Sequence, residues 1–204
     1  MSNAENGCAV IILAAGASSR LGQAKQLLIY QEKTLLENSI RVALNARVKQ
    51  VAVVLGAGAA GIPVSMHDEK LAFIINGQWQ EGIASSIRCG LHYLLQQCAN
   101  LQSVIFMACD QPYASTGLLN NLVTLQQQTG CAIVASQYAA TTGIPVLFTR
   151  PLFAELLQLK GDAGAKKLIL LHQAETVTVP FPLGSIDIDT AADYQALQKM
   201  NKKE

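Results

Sequence analysis

Charged and aromatic side chains are both scarce in this sequence. Of its 204 residues 14% are charged and 5% are aromatic, and 15 Lys and Arg stand against 14 Asp and Glu, which gives a formal net charge of +1. So weak a positive field excludes binding of nucleic acid through a general attraction to phosphate. A chain of this length is expected to bury about 70% of its unfolded surface, so one core suffices without disulfides or a structural metal.

Long apolar runs are also missing. The most apolar stretch, residues 9–15, is about a third of the roughly 20 residues that a membrane span requires. It follows Glu5 rather than a basic segment, which is atypical of a signal peptide. The five cysteines are odd in number and show no C-x-x-C spacing, which argues against a disulfide framework and a thiolate zinc site. We therefore expect no membrane association and a cytoplasmic location.

No linker, charge block or internal repeat divides the chain. Ser2, Asn3 and Ala4 after Met1 are typical of the remnant of an expression tag. We therefore interpret residues 1–4 as such a remnant and predict a single domain over residues 5–204.

Short apolar runs alternate with longer segments of helical period, which predicts an α/β fold. Strands are predicted over residues 8–14, 50–55, 71–75, 103–108, 131–136, 144–148 and 176–179. Helices are predicted over residues 35–46, 83–97, 115–128, 151–159, 163–172 and 191–200. Because the strand runs are almost wholly apolar, helices should cover both faces of the sheet. We predict one Rossmann-like, three-layer domain with a mostly parallel central sheet, whose ligands bind at the carboxyl ends of the strands.

The segment that follows the first strand has the composition of a phosphate-binding loop. Residues 13–25 contain two glycines, two serines and two cations but no carboxylate. Small residues at 14–17 let backbone N–H groups approach an anion, and Arg20 and Lys25 add positive charge. By residue types alone an ordinary strand-to-helix turn fits equally well. The segment is not a Walker A loop, because Gly22 is followed by Gln23 rather than by lysine.

A second glycine-rich segment, residues 56–61, reads G-x-G-x-x-G directly after a predicted strand. A dinucleotide-binding loop requires a helix to open at its last glycine, but Pro63 follows and the next strand is near. We therefore expect a surface turn here rather than a cofactor site.

The pattern L-A-A-G-x-S-x-R-x-G-x-x-K over residues 13–25 resembles the signature loop of the MobA-like nucleotidyltransferases, and most closely that of the molybdenum cofactor cytidylyltransferases. The likeness extends through most of the chain. Its further pieces are N-G-Q-W-Q-E-G at 76–82, Ser85, Ser86, Gly90, D-Q-P at 110–112, G-I-P at 143–145, G-D-x-G-A at 161–165 and D-I-D-T at 187–190. The resemblance implies a fold like that of the nucleotide-diphospho-sugar transferases.

Acidic residues stand where this fold would place a metal. Asp110 follows a strongly apolar predicted strand, and Ser115 is the better cap for the next helix. Mg²⁺ prefers one or two carboxylates together with phosphate oxygens and water. The resemblance makes Asp110 a Mg²⁺ ligand. Asp187 and Asp189 should share one face of an extended segment, with Ile188 on the other. The resemblance places a second ligand here, and we favour Asp189; two solvated acids before a helix are the alternative.

The resemblance implies a Mg²⁺-dependent enzyme that transfers CMP from CTP to the phosphate of a molybdopterin-type cofactor and releases pyrophosphate, with a molybdenum hydroxylase as partner. Alternatives are guanylyl transfer, a sugar or polyol phosphate acceptor, and a non-catalytic nucleotide-binding accessory protein. Implied catalytic residues are Arg20, Lys25 and Asp110, and implied metal ligands are Asp110 and Asp189. Implied nucleotide-binding residues are Leu13, Ala14, Ala15, Gly16, Ser18, Arg20, Lys25, Ser86 and Asp110.

Overall fold

A computed structural model of the chain describes residues 7–18, 20–56, 58, 61–62 and 66–201. The predicted tag remnant at residues 1–4 lies outside the described residues, as do Ala57, Ala59, Ala60 and Pro63 of the second glycine-rich segment and its surroundings.

Within the described residues, strands and helices alternate along most of the chain. The strands are β1 (Cys8–Ala14), β2 (Ile29–Tyr30), β3 (Lys33–Thr34), β4 (Gln50–Leu55), β5 (Leu71–Ile75), β6 (Ser103–Ala108), β7 (Ile133–Tyr138), β8 (Thr141–Thr149) and β9 (Thr176–Pro180). The α-helices are α1 (Leu35–Leu44), α2 (Ile83–Gln97), α3 (Thr116–Thr129), α4 (Phe153–Leu157), α5 (Ala165–Leu171) and α6 (Ala191–Asn201).

The central sheet of this part of the chain has seven strands in the order β5-β4-β1-β6-β8-β7-β9. Strand β1 pairs in parallel with β4 on one side and β6 on the other, and β8 runs antiparallel to both of its neighbours. The predicted mostly parallel sheet is thus confirmed. The antiparallel strand and the small β2–β3 hairpin were not predicted, because a wholly buried strand carries no sign of its direction and two-residue strands have no periodicity.

The two faces of the sheet bury separate apolar layers, as the predicted three-layer domain requires. Val10 and Ile12 of β1 pack in the layer that α1 and α3 cover. Ile11 faces the opposite layer, covered by α2, α4 and α5. Side chains of successive strand residues point to opposite faces, so β1 is buried on both sides and lies at the centre of the molecule.

Among the helices of the described residues, none combines the length and the apolar character that crossing a membrane requires. The five cysteines all carry free thiols, and Cys109 is buried in the core. Burial raises the pKa of the Cys109 thiol to about 12, with the charge of Asp110 adding to the effect.

Helix α2 lies so close to the sheet that it needs a glycine at its inner face. A Cβ on Gly90 would lie 2.9 Å from Cγ2 of Ile11 and 3.0 Å from Cγ2 of Val54. We expect Gly90→Val to lower the free energy of unfolding by about 2 kcal/mol, because overpacking of a dense core costs about 1–3 kcal/mol.

Urea denaturation measures this loss, and Gly117→Ala is the matched control. The added Cβ at Gly117 of α3 would have only the Ser115 hydroxyl within 4 Å, at 3.8 Å. That variant should gain about 0.5 kcal/mol through its less flexible unfolded chain. Equal stability of Gly90→Val and the wild type would contradict the close packing of α2 on the sheet at Gly90.

Candidate functional site

A cleft of about 400 Å³ opens at the edge of the sheet where β1 and β6 end. It is lined by Leu13, Ala14, Ala15, Gly16, Ala17, Lys25, Gln26, Trp79, Gln80, Gly82, Ile83, Ser86, Ala108, Cys109, Asp110 and Asp162. Strand register explains this assembly: Leu13 pairs with Ala108, so the loop after β1 and the acid after β6 leave the sheet side by side. Ligands of open α/β sheets bind at this edge.

A cluster of opposite charges stands at the mouth of the cleft. The Lys25 ammonium donates to Oδ2 of Asp110 at 2.5 Å and to Oδ1 of Asp189 at 3.0 Å. Arg20 adds a second cation, with its guanidinium 2.8 Å from Oδ2 of Asp189. Lys25 and Asp110 are mostly shielded from water, with side chains 16% and 17% exposed, whereas Arg20 is 71% exposed. Lys25 is therefore the cation that holds the two carboxylates together.

A backbone hydrogen bond holds the segment that carries Asp189 next to Asp110. The Ile188 N–H donates to the Asp110 carbonyl oxygen at 3.0 Å, and the Ile188 side chain is fully buried. Asp193 fixes the end of the segment, since its carboxylate accepts from the backbone N–H groups of Asp189 and Thr190. Ile188 is buried, whereas Asp187 is exposed and Asp189 half-buried, in agreement with the prediction that Ile188 lies on the face opposite the two acids. Thr190 accepts from the Asp193 N–H at the start of α6.

The charged side chains at the cleft shift one another's pKa values. Hydrogen bonding to Lys25 lowers the pKa of Asp189, against a smaller effect of burial. Burial opposes the charge on Lys25, but Asp110 and Asp189 outweigh it and the pKa of Lys25 is raised. Loss of hydration and then the charge of Asp110 raise the pKa of Asp187 to about 6. Asp189, in direct contact with both cations, therefore stays ionised to a lower pH than Asp187 does.

The loop after β1 keeps an open surface for a ligand. A Cβ on Gly16 would meet nothing within 4 Å, and the residue is exposed. No packing requirement explains a glycine here, and the open backbone would allow the close approach of an anion. Gly22 differs, because its φ of +72° itself favours glycine. Ser18 does not line the cleft; its hydroxyl accepts from the Lys25 backbone N–H at 3.2 Å and closes the loop on itself.

Gln26 supports this loop through hydrogen bonds to its backbone, a role that was not predicted from the sequence. Its side chain is 1% exposed, and its amide nitrogen donates to the carbonyl oxygens of Ala14 at 2.7 Å and Gly16 at 3.2 Å. Its Oε1 is buried without a hydrogen-bond partner in the described structure. The only signal in the sequence is a polar residue between Lys25 and two leucines, which is too weak to assign a role.

The opposite wall of the cleft comes from the start of α2. Ser86 lines it, as predicted, and Trp79 both packs on the core and lines the cleft. Gly82 opens α2 with a φ of +113°, and a Cβ there would lie 2.5 Å from Oδ1 of Asp162. Through this close contact, Asp162 brings the G-D-x-G-A segment to the cleft. The G-I-P segment lies within β8 and is not among the lining residues.

Gly56 proves to be more than a residue of a surface turn. Leu55 pairs with Ala14, which places Gly56 beside Ala15. A Cβ on Gly56 would lie 2.6 Å from the Ala15 carbonyl oxygen and 2.7 Å from Cβ of Trp79. The expectation of a surface turn did not include this close packing behind the cleft, which requires glycine at this position.

The structure thus brings most of the predicted site residues together. Seven of them line the cleft: Leu13, Ala14, Ala15, Gly16, Lys25, Ser86 and Asp110. Arg20 and Asp189 join them through the charge cluster, and Ser18 through the loop. Their assigned roles in binding and catalysis remain predictions.

The charge cluster also fits a divalent cation. The Lys25 ammonium already shows that one cation can contact both Asp110 and Asp189. Within the described part of the chain, no group of three or more His, Cys, Asp or Glu side chains is arranged for a metal. Two carboxylates and an open cleft suit Mg²⁺, which completes its coordination with phosphate oxygens and water.

Comparison with known proteins agrees with this geometry. The family described as "MobA-like NTP transferase domain" matches residues 10–177. Nicotine blue oxidoreductase of Paenarthrobacter nicotinovorans is 30% identical over 166 residues, covering 76% of this chain and 78% of the relative. Molybdenum cofactor cytidylyltransferase of Escherichia coli K12 is 21% identical over 187 residues, covering 90% and 92%.

A solved structure from Mycobacterium tuberculosis H37Rv has the same architecture. Rv0371C, crystallised in complex with manganese, is 26% identical and superposes with a TM-score of 0.73. The superposition covers 94% of this chain and 98% of that one.

The role of Gln26 can be tested by stability. Gln26→Glu replaces the donating amide with acceptors that face the carbonyl oxygens of Ala14 and Gly16. We expect the free energy of unfolding to fall by about 2 kcal/mol or more, because buried acceptors are then left unpaired. Gln26→Met removes the donors but also the unpartnered Oε1, so its loss should be smaller.

Thermal and urea unfolding of both variants give the comparison. Gln127→Glu, at an exposed position of α3, controls for the added charge and should stay within about 0.5 kcal/mol of the wild type. A loss in Gln26→Glu no larger than in this control would contradict the supporting role of Gln26.

Proposed function

The chain belongs to the MobA-like NTP transferase family, and from that premise we propose that this nucleotidyltransferase transfers CMP from CTP to the phosphate of a molybdopterin-type acceptor. The observation that carries the proposal is the charge cluster of Lys25, Asp110 and Asp189 beside an open loop of small residues. The similarity to the molybdenum cofactor cytidylyltransferase of E. coli supports the choice of nucleotide and acceptor.

In the proposed reaction a phosphate oxygen of the acceptor attacks the α-phosphorus of CTP. One P–O bond forms there, the bond from the α-phosphorus to the bridging oxygen breaks, and pyrophosphate leaves with that oxygen and its electron pair. The protein needs no covalent intermediate. It contributes position and charge, which are the main sources of catalysis in phosphoryl-type transfer.

Each residue of the cluster has a distinct task in this proposal. Backbone N–H groups around Gly16 bind the triphosphate, and Lys25 and Arg20 place positive charge on the departing pyrophosphate. Asp110 and Asp189 would hold Mg²⁺, which when bound neutralises phosphate charge and polarises phosphoryl oxygens. The manganese complex of the mycobacterial relative supports a divalent cation.

Charge balance also supports the need for that ion. The two cations of the cluster are already matched by the two carboxylates that they contact. The cluster therefore offers little surplus positive charge to a triphosphate. A divalent cation that takes over the carboxylates would release Lys25 and Arg20 for phosphate.

The preference for cytosine rests on Ala15. The first loop reads L-A-A-G, the form that resembles the cytidylyl rather than the guanylyl members of the family. The Ala15 methyl lies on the cleft wall beside Gly56 and Trp79, where it takes space that a purine would need. A single methyl discriminates by about 1–3 kcal/mol, so we expect a clear but incomplete preference.

Asp110 is the residue whose change tests catalysis most directly. Asp110→Asn keeps the size of the side chain but removes its charge, and should reduce turnover by at least about 100-fold. The measurement is release of pyrophosphate with Mg²⁺, CTP and the molybdopterin acceptor, a product that oxidoreductase chemistry would not yield. Asp68→Asn, outside the cleft lining, is the control and should retain full activity. Undiminished activity of Asp110→Asn would refute the assignment.

Nucleotide choice is tested by calorimetric titration of the wild type with CTP and with GTP in the presence of Mg²⁺. We expect tighter binding of CTP, and a shift of the affinity ratio toward GTP by about tenfold in Ala15→Gly, because the purine gains the space of one methyl. Equal affinities, or tighter GTP in the wild type, would favour the guanylyltransferase alternative.

A further inference from the structure

A buried amide behind the cleft has a fixed orientation. Asn76 follows β5 and is 4% exposed. Its Oδ1 accepts from the backbone N–H of Gln78 at 2.9 Å. Because a backbone N–H can only donate, the oxygen of the amide must face Gln78 and the nitrogen must face the other way.

The nitrogen of Asn76 therefore donates to two serine hydroxyls. Nδ2 lies 2.8 Å from Oγ of Ser85 and 3.0 Å from Oγ of Ser86. Both amide hydrogens are used in this way. Each serine oxygen thus accepts a hydrogen bond from inside the protein, and each is left with a proton to donate.

The two serines differ in where that proton goes. Ser85 donates to the Gly82 carbonyl oxygen at 2.8 Å and is not part of the cleft lining. Ser86 is 4% exposed and lines the cleft, and no acceptor among the described residues takes its proton. The hydroxyl proton of Ser86 can therefore point into the cleft, where Ser86 contacts a ligand as a hydrogen-bond donor.

We propose that Asn76 is a specificity-determining positioning residue, which makes Ser86 a donor that reads the N3 acceptor of cytosine. This inference rests on the proposed function and deepens it. Cytosine carries a lone pair at N3, whereas uracil carries an N–H there, so a serine held as a donor favours CTP over UTP. A site built for one hydrogen-bond polarity rejects the opposite one because a buried polar group is then left unpaired.

The chemistry of the amide allows the polarity to be reversed. In Asn76→Asp, one carboxylate oxygen still accepts from Gln78, and the other accepts the Ser86 proton. The lone pairs of Ser86 then face the cleft, which suits the N3–H of uracil. The added negative charge acts on CTP and UTP alike, since both carry the same triphosphate, and it cancels in the ratio of their affinities.

The experiment is calorimetric titration of the wild type and three variants with CTP and with UTP, in the presence of Mg²⁺ and without acceptor. We expect the wild type to bind CTP about tenfold or more tightly than UTP. Asn76→Asp should lower this ratio at least about tenfold, to parity or to a preference for UTP. Ser86→Ala should weaken CTP binding and bring the ratio of CTP affinity to UTP affinity near one. This variant provides the test if Asn76→Asp does not fold.

Ser85→Ala is the matched control, because the Ser85 hydroxyl is committed to Gly82 and lies outside the cleft lining. The ratio of CTP affinity to UTP affinity in Ser85→Ala should stay within about twofold of the wild-type ratio, because Ser85 has no contact with the ligand. A wild-type preference for CTP that survives both Asn76→Asp and Ser86→Ala would overturn this inference alone. Tighter binding of GTP than of CTP by the wild type would instead overturn the proposed function, and the inference with it.

Discussion

The ammonium of Lys25, held between the carboxylates of Asp110 and Asp189, joins three distant parts of the chain at one edge of the sheet. Asp110 and Asp189 carry like charges that would repel one another in a partly shielded site, and the shared cation compensates for that repulsion. Lys25 lies in the loop after β1, Asp110 after β6 and Asp189 before α6. Much of the remaining architecture can be understood as the means of bringing these three residues to one point.

Close backbone contacts around the cleft provide that means. The parallel register of β1 with β4 and β6 sets the loops after these strands next to each other. Glycine allows the loops to touch, at Gly56 against Ala15 and at Gly82 against Gly161. Side chains at these two glycines would force the walls of the cleft apart. The cleft is therefore shaped by the absence of side chains as much as by the residues that line it.

Two buried amide side chains, those of Gln26 and Asn76, donate hydrogen bonds to groups that form the cleft. Gln26 donates to the carbonyl oxygens of Ala14 and Gly16, which satisfies these acceptors at the start of the first loop. Asn76 donates to the serines of α2, which leaves the Ser86 proton free for a ligand. In both cases the amide of an uncharged, buried side chain holds groups at the cleft in place by donating hydrogen bonds to them.

The sequence by itself determined the α/β fold, most strand positions and most members of the site. Cys8–Ala14, Gln50–Leu55, Leu71–Ile75 and Ser103–Ala108 coincide with the predicted strands, because apolar runs of this length between turn residues are local signals. Asp110 stood out as a charge after an apolar run, and Arg20 and Lys25 as the two cations of a loop of small residues without a carboxylate. Only the tertiary structure decided that β8 is antiparallel, that Lys25 contacts both acids, and that Gln26, Asn76 and Gly56 shape the cleft. These depend on strand order and on contacts between residues far apart in the chain, and such contacts leave no periodic trace in the sequence around either partner.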